Sequence, residues 1–417
     1  MSDTDNNRTS IFLGVCISLL YMLFYGYDYL LQTSFSILPD SFIHQFGITP
    51  ESFGFLSAAF FYGYVIFQIP LGYCLDRIGL KYTAVLCTGC CFLGAALFYY
   101  STSFTMLFVA RFLIGAGTAS ACVMSVYAVS TWLLPRHFSL GVGMVQVAAC
   151  LGSIFGQAVG AALSHRYGWD AMMHVVIYFA LLLMIIYFFI PKYPAQHKPS
   201  VSSMVRIRDL PTLLINKQII TIALLGFISW APVSVLAASW MVRLLDHNMG
   251  WSQHHSANLL TSFWIGLAVA SLLIGKLSDK LKSRQKIVFI AFAMQCVCGI
   301  VLAYTTTMTP ALLLSLLFLL GAAASVQTLS FVLTAESISK SVYGAAAALV
   351  NMVAASSGGV LNPIFGIIVA RTGNYYSALW VFPALSIVGM ILAIFVLRET
   401  YQEQELRSGA TDGAYVQ

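Results

Sequence analysis

Charge is scarce in this chain: only 9% of its 417 residues are charged, against 59% hydrophobic. A soluble domain usually carries about 25% charged residues, so a soluble fold of two or three domains is excluded. The formal net charge of +6 forms no basic face on a soluble domain, and nucleic acid is not an expected partner. Polar segments offer no phosphate-binding glycine loop, no nucleophile–base set and no metal-ligand cluster. The sequence therefore reads as no enzyme, with no cofactor, no metal and no ATP-binding domain of its own. Exported cysteine-rich loops are missing too. All nine cysteines fall in or beside apolar runs. Cys87, Cys90 and Cys91, like Cys296 and Cys298, imitate a metal or redox spacing but read as small packing residues.

Long apolar runs are present in number. A bilayer-spanning helix takes about 20 mostly apolar residues. Twelve stretches meet that requirement, at 11–38, 51–75, 82–101, 104–130, 138–163, 171–190, 218–241, 254–275, 286–305, 310–333, 343–370 and 377–397. The first is too long for a signal-peptide core and lacks a small-residue cleavage site, so it reads as retained. With the N-terminus inside, 17 of 21 basic residues fall on the cytoplasmic side, as the positive-inside rule requires. The expectation is an all-α polytopic protein of a bacterial inner membrane, with both termini cytoplasmic.

The stretch 191–217 holds Pro191, Pro194, Pro199 and Pro211 with five basic residues. It reads as a cytoplasmic linker touching the inner leaflet. It separates a six-helix bundle at 1–190 from a second at 218–400, followed by a tail at 401–417. The halves repeat each other. A shift of 203 positions lays Gly47 on Gly250, Leu56 on Leu259, Phe60 on Phe263, Gly63 on Gly266, Gly72 on Gly275 and Asp76 on Asp279. An internal repeat in a membrane protein points to alternating access around a site between the halves.

The run Gly72-Tyr-Cys-Leu-Asp76-Arg77-Ile-Gly79-Leu-Lys81 resembles the signature loop between spans two and three of the major facilitator superfamily. Gly275-Lys-Leu-Ser-Asp279-Lys280 resembles its weaker copy, and Arg111-Phe-Leu-Ile-Gly115-Ala-Gly117 is similar to a second motif of that family. The resemblance covers essentially the whole chain. It implies two pseudo-symmetric six-helix bundles with spans one and four lining a central cavity, and a monomer as the working unit. It also implies that Gly72, Asp76, Arg77, Gly275 and Asp279 gate the cytoplasmic side. Span five carries glycines but not the Gly-Pro pair of many drug–proton antiporters in the family, which lowers the efflux reading. Around span four and Tyr127–Trp132 the chain is also loosely similar to bacterial relatives of the lysosomal dipeptide carriers.

Ionisable groups are costly in a bilayer, and two stand inside spans: Asp28 and Arg111. Counted from the helix ends they lie within roughly 5 Å of one depth, which permits a facing pair and leaves helix rotation to decide whether they touch. Tyr21, Tyr25, Asp28 and Gln32 share a helical face. Gln146 and Gln157 mark a polar side of span five. The second half offers neutral candidates, Trp230, Gln327 and Asn351. Glu336, near a helix end, is expected to be solvated. Arg111 suits an anion, since its planar fork matches a carboxylate, and a released, desolvated Asp28 would take up a proton. As a structural pair, the same two charges would only fix helix packing. The leading reading is a secondary active transporter of a small anionic or zwitterionic metabolite (amino acid, short peptide or organic acid) coupled to protons. Polycarboxylate siderophore transport, lipophilic drug efflux and a non-transporting sensor remain as alternatives.

Overall fold

The computed structural model describes residues 3–133, 138–190, 210–305, 307, 309–339 and 342–401. Most of the expected linker, at 191–209, and the tail at 402–417 lie outside the described residues. Among the described residues every regular element is helical, and eleven helical stretches are long and apolar enough to cross a membrane. The longest, Pro50–Tyr99, has 50 residues and breaks at Gly79, where φ is 81° and ψ 171°. Left-handed φ of that kind is open to glycine at little penalty. The break divides the stretch into two crossings, which gives the expected twelve.

In chain order these are α1 (Leu13–Ile37), α2 (50–78), α3 (80–99), α4 (Phe104–Trp132), α5 (Leu140–Tyr167) and α6 (Trp169–Phe189). The second half supplies α7 (Lys217–Met249), α8 (Gln253–Lys280), α9 (Arg284–Tyr304), α10 (Pro310–Ser337), α11 (Tyr343–Thr372) and α12 (Tyr375–Phe395). An even number of crossings leaves the start of α1 and the end of α12 on one side, called here the terminal side; the other is the far side. Small polar residues set many of the starts. Ser103, Ser252, Ser283 and Thr309 each accept a hydrogen bond from the backbone three residues on, which satisfies an otherwise orphan helix N–H.

The repeat is visible in the packing. In the first half α2 crosses α4 where Gly63 lies against the Phe112 carbonyl and Gly115 against the Phe60 carbonyl. In the second half α8 crosses α10 through Gly266 against Phe318 and Gly321 against Phe263. A Cβ at any of the four positions would collide with backbone, so glycine is what lets these helices touch. Both α4 and α10 also break at mid-span, into Phe104–Thr118 with Ala121–Trp132, and Pro310–Ala324 with Gln327–Ser337. In α7 the ladder widens to π-helical form over Pro232–Trp240, where proline lacks the N–H that a regular turn needs.

The halves meet chiefly along α2 on α11 and α5 on α8, with α1 also touching α7. At mid-depth the rings of Phe61 and Tyr62 lie on Gly358 and Gly359. Among the described residues four hydrogen bonds tie the halves together on the far side. Trp264 Nε1 donates to Gln157 Oε1 at 2.8 Å, and Gln157 Nε2 donates to the Ala237 carbonyl at 2.6 Å. Arg243 and Gln253 both donate to the Leu38 carbonyl, at 2.9 and 3.2 Å.

The terminal side of the second half carries a charge cluster. Arg284 pairs with Glu336 at 2.9 Å and with Asp279 at 2.6 Å. The Glu336 side chain is only 9% exposed and also accepts from the Thr400 hydroxyl, so the expectation of a solvated Glu336 is corrected. Beyond α12, Glu399 turns back to accept from the Ser283 hydroxyl and from the backbone N–H groups of Arg284 and Gln285 at the start of α9. Burial pushes the Glu399 carboxyl up, but these bonds and one from the Tyr401 N–H outweigh it and hold the group below its ordinary value.

Candidate functional site

A cavity of about 80 Å³ lies between the halves, room enough for several waters or part of a small solute. From the first half Tyr25, Asp28, Gln32 and Gln146 line it, and from the second Trp230, Gln327 and Asn351. Seven of the ten expected binding residues therefore meet around one space. Sequence reasoning missed Tyr29 and Tyr64, which line the cavity with Asp28, and the rings of Phe60, Phe61 and Phe331. The helical period offers a signal for two of these: Tyr29 and Gln32 are three apart on α1, and Phe61 and Tyr64 three apart on α2. The paired mid-span breaks matter here as well. Cys122 of α4 and Thr328 of α10, each the second residue after its break, both line the cavity.

Asp28 is 3% exposed. Its Oδ1 is buried and has no hydrogen-bond partner. The contact with Arg111 that depth permits is not made: among the described residues no ion pair joins them. Arg111 donates from one terminal nitrogen to the Leu31 carbonyl at 3.1 Å and lies between the rings of Phe35 and Phe60, its guanidinium carbon 4.3 and 5.2 Å from their centres. It faces a smaller void of about 20 Å³ inside the first half, bounded by Leu31, Phe98 and Trp169. Equal depth allowed a pair; the rotation of α4 aims the guanidinium one turn farther along α1 and behind Phe60.

Two further expected residues do not line the cavity. Tyr21 stacks on Tyr187 of α6 with ring centres 5.0 Å apart, because α6 covers α1 at that depth. Gln157 is fully buried and spends its amide on Ser36, Ala237 and Trp264, so it bridges the halves on the far side. Among the gating candidates, Gly72 is buried, and Asp76 and Arg77 are exposed, with Arg77 over the Tyr73 ring at 5.3 Å. Asp279 pairs with Arg284. A Cβ at Gly275 would meet open space, so that glycine permits no close helix approach here. The cysteines are free, and Cys87 and Cys91 pack against Gly117 of α4.

Residues 13–248 and 222–414 match the sequence profile of the Major Facilitator Superfamily. The chain belongs to the Major Facilitator Superfamily. It is accordingly a multi-pass membrane transporter and not an enzyme. A solved D-xylose–proton symporter of the superfamily's fold superposes with a TM-score of 0.76 at 15% identity, over 93% of this chain and 98% of that one. NicT of Pseudomonas putida, named for metabolite transport, is 23% identical over 94% of this chain and 96% of its own length. GudP of Escherichia coli, named for galactarate and D-glucarate transport, is 23% identical over 92% of each chain. SauU of Cupriavidus necator, named for sulfoacetate transport, is 22% identical over 90% of this chain and 91% of its own.

Proposed function

We propose that this chain moves a small organic acid through the membrane by alternating access, together with protons, and that Asp28 carries the proton. The observation behind this is that Asp28 is the one charged residue among those lining the cavity, and Arg111 does not neutralise it. A carboxylate or sulfonate entering beside an ionised Asp28, about 5 Å away at an effective dielectric of 20, would be repelled by about 3 kcal/mol. A proton on Asp28 removes that repulsion, so anion and proton bind best together. Arg111 adds positive potential from behind Phe60. Glutamine and asparagine amides, tyrosine phenols and Trp230 supply the neutral grip. Relatives named for galactarate, glucarate and sulfoacetate favour the organic-acid member of the expected substrates. The far-side bonds close that face, and placement of basic residues supports cytoplasmic termini in an inner membrane.

One observation favours a second reading. An acid among Phe60, Phe61, Phe331 and Trp230 also suits a lipophilic cation, which is the efflux case. Proteoliposomes containing wild type, Asp28→Asn or Arg111→Ala separate the two. With labelled D-galactarate and sulfoacetate, wild type is expected to concentrate an acid when a proton gradient is imposed. Asp28→Asn should lose the gradient response and keep exchange, and Arg111→Ala should lose uptake. Movement of tetraphenylphosphonium alone, unaffected by Arg111→Ala, would reject the organic-acid reading in favour of efflux.

A further inference from the structure

The mid-span break of α10 places Gln327 at the first position of its second segment, where the side chain is 6% exposed. Its Oε1 accepts from the Ser330 hydroxyl at 3.4 Å and shares the Ser229 hydroxyl, 3.1 Å away, with the Gly226 carbonyl at 3.0 Å. Its Nε2 is buried, lacks any partner, and belongs to a residue of the cavity wall. The amide fits because position 226 is glycine: a Cβ there would stand 3.0 Å from Oε1 and 3.4 Å from Nε2. Behind it, Gln295 donates to the Ser229 carbonyl at 3.2 Å and steadies that turn of α7. Across the cavity Gln146 is a second wall amide, its Nε2 buried and its side chain beside the Cys150 thiol.

We infer that Ser229 and Ser330 fix the Gln327 amide so that it meets the substrate only as a hydrogen-bond donor, making Ser229 a positioning residue for the transported acid. The inference rests on the organic-acid reading above. A primary amide can donate or accept. With Oε1 turned to the two serine hydroxyls, the two N–H bonds are left without a partner at the cavity wall. A buried donor without a partner is unfavourable, and an acceptor oxygen entering the cavity relieves it. Carboxylate, sulfonate and hydroxyl oxygens qualify. An ammonium group, which has only donors, does not. Donor amides from both halves, Gln146 and Gln327, then converge on one acceptor-rich ligand.

The test measures binding of D-galactarate and sulfoacetate to purified protein by calorimetry, with uptake kinetics in proteoliposomes. Gln327→Glu keeps the shape and the acceptor on the serine side but turns an acceptor toward the cavity. It is expected to weaken acid binding about tenfold or more. Gln327→Met, which removes the donor without adding charge, is expected to weaken it about as much as one lost hydrogen bond to a charged group, again about tenfold. Ser229→Ala should raise KM several-fold with kcat little changed, and Ser229→Thr should restore it. A loss of folding would change kcat and the unliganded melting temperature together. If wild type binds an acid and Gln327→Met binds it equally well, the inference fails while the functional reading stands. If Ser229→Ala leaves KM unchanged, the positioning role fails. If wild type binds neither acid, the organic-acid reading has failed and this inference falls with it.

Discussion

Replacing Gln157 by leucine tests whether the far-side bonds hold that face closed. The side chain keeps its bulk but loses the bond from Trp264 Nε1 and the bond to the Ala237 carbonyl, both of which cross between halves. Each hydrogen bond contributes about 0.5–1.5 kcal/mol net, so the closed arrangement should lose about 1–3 kcal/mol relative to an open one in which both groups reach water. At about 1.4 kcal/mol per factor of ten, the open-to-closed ratio rises by about 5- to 150-fold. Spin labels at the exposed positions His44 and Arg371, one on the far side of each half, report it after the native cysteines are replaced. A second, longer distance should grow in Gln157→Leu. Ser36→Ala, which removes a bond within the first half, should change the distribution much less. Identical distributions in wild type and Gln157→Leu would refute the argument that these bonds hold the face shut.

Two glycines of the family motifs should respond in opposite ways. Gly115→Ala drives a Cβ into the Phe60 carbonyl and is expected to lose folded protein. Gly275→Ala meets open space and should leave yield and melting temperature unchanged; size-exclusion profiles and thermal melts compare them. The tie between Glu399 and α9 depends on pH. A carboxyl held below its unfolded value stabilises fully above that value and loses the contribution as pH falls through its folded one. Protection of the Arg284 and Gln285 amides, corrected for intrinsic exchange, should therefore drop below about pH 4.3. In Glu399→Gln it should be weak at every pH. A flat profile in wild type would exclude the tie.

The crossings were legible because apolar length and small polar caps are local properties. The expected stretch at 286–305 and the observed Arg284–Tyr304 differ by two residues or fewer at each end. The repeat was legible too, since Gly63 and Gly266 serve equivalent crossings. Helical period brought Tyr25, Asp28 and Gln32 to one wall. What sequence could not supply was rotation and partners. Depth put Arg111 level with Asp28, but only the packing of α4 against Phe35 and Phe60 decides where its guanidinium points. Glu336 looked solvated because Arg284 lies 52 positions earlier in the chain. Gln157 looked like a cavity residue because its partners lie on α1, α7 and α8.

The glycines that lock α2 to α4 and α8 to α10 have a mechanical consequence. Backbones in direct contact leave no soft layer to shear, so each half is a stiff lever along those crossings. The rings of Phe61 and Tyr62 on Gly358 and Gly359 bear on the opposite lever at mid-depth, where a fulcrum belongs. In the alternating-access cycle proposed above, levers pivoting there would not separate at both ends at once: an ångström gained at the far mouth would be taken up at the terminal mouth. In that cycle a continuous open pore would require the fulcrum itself to come apart, and these two aromatic contacts would then guard against leak.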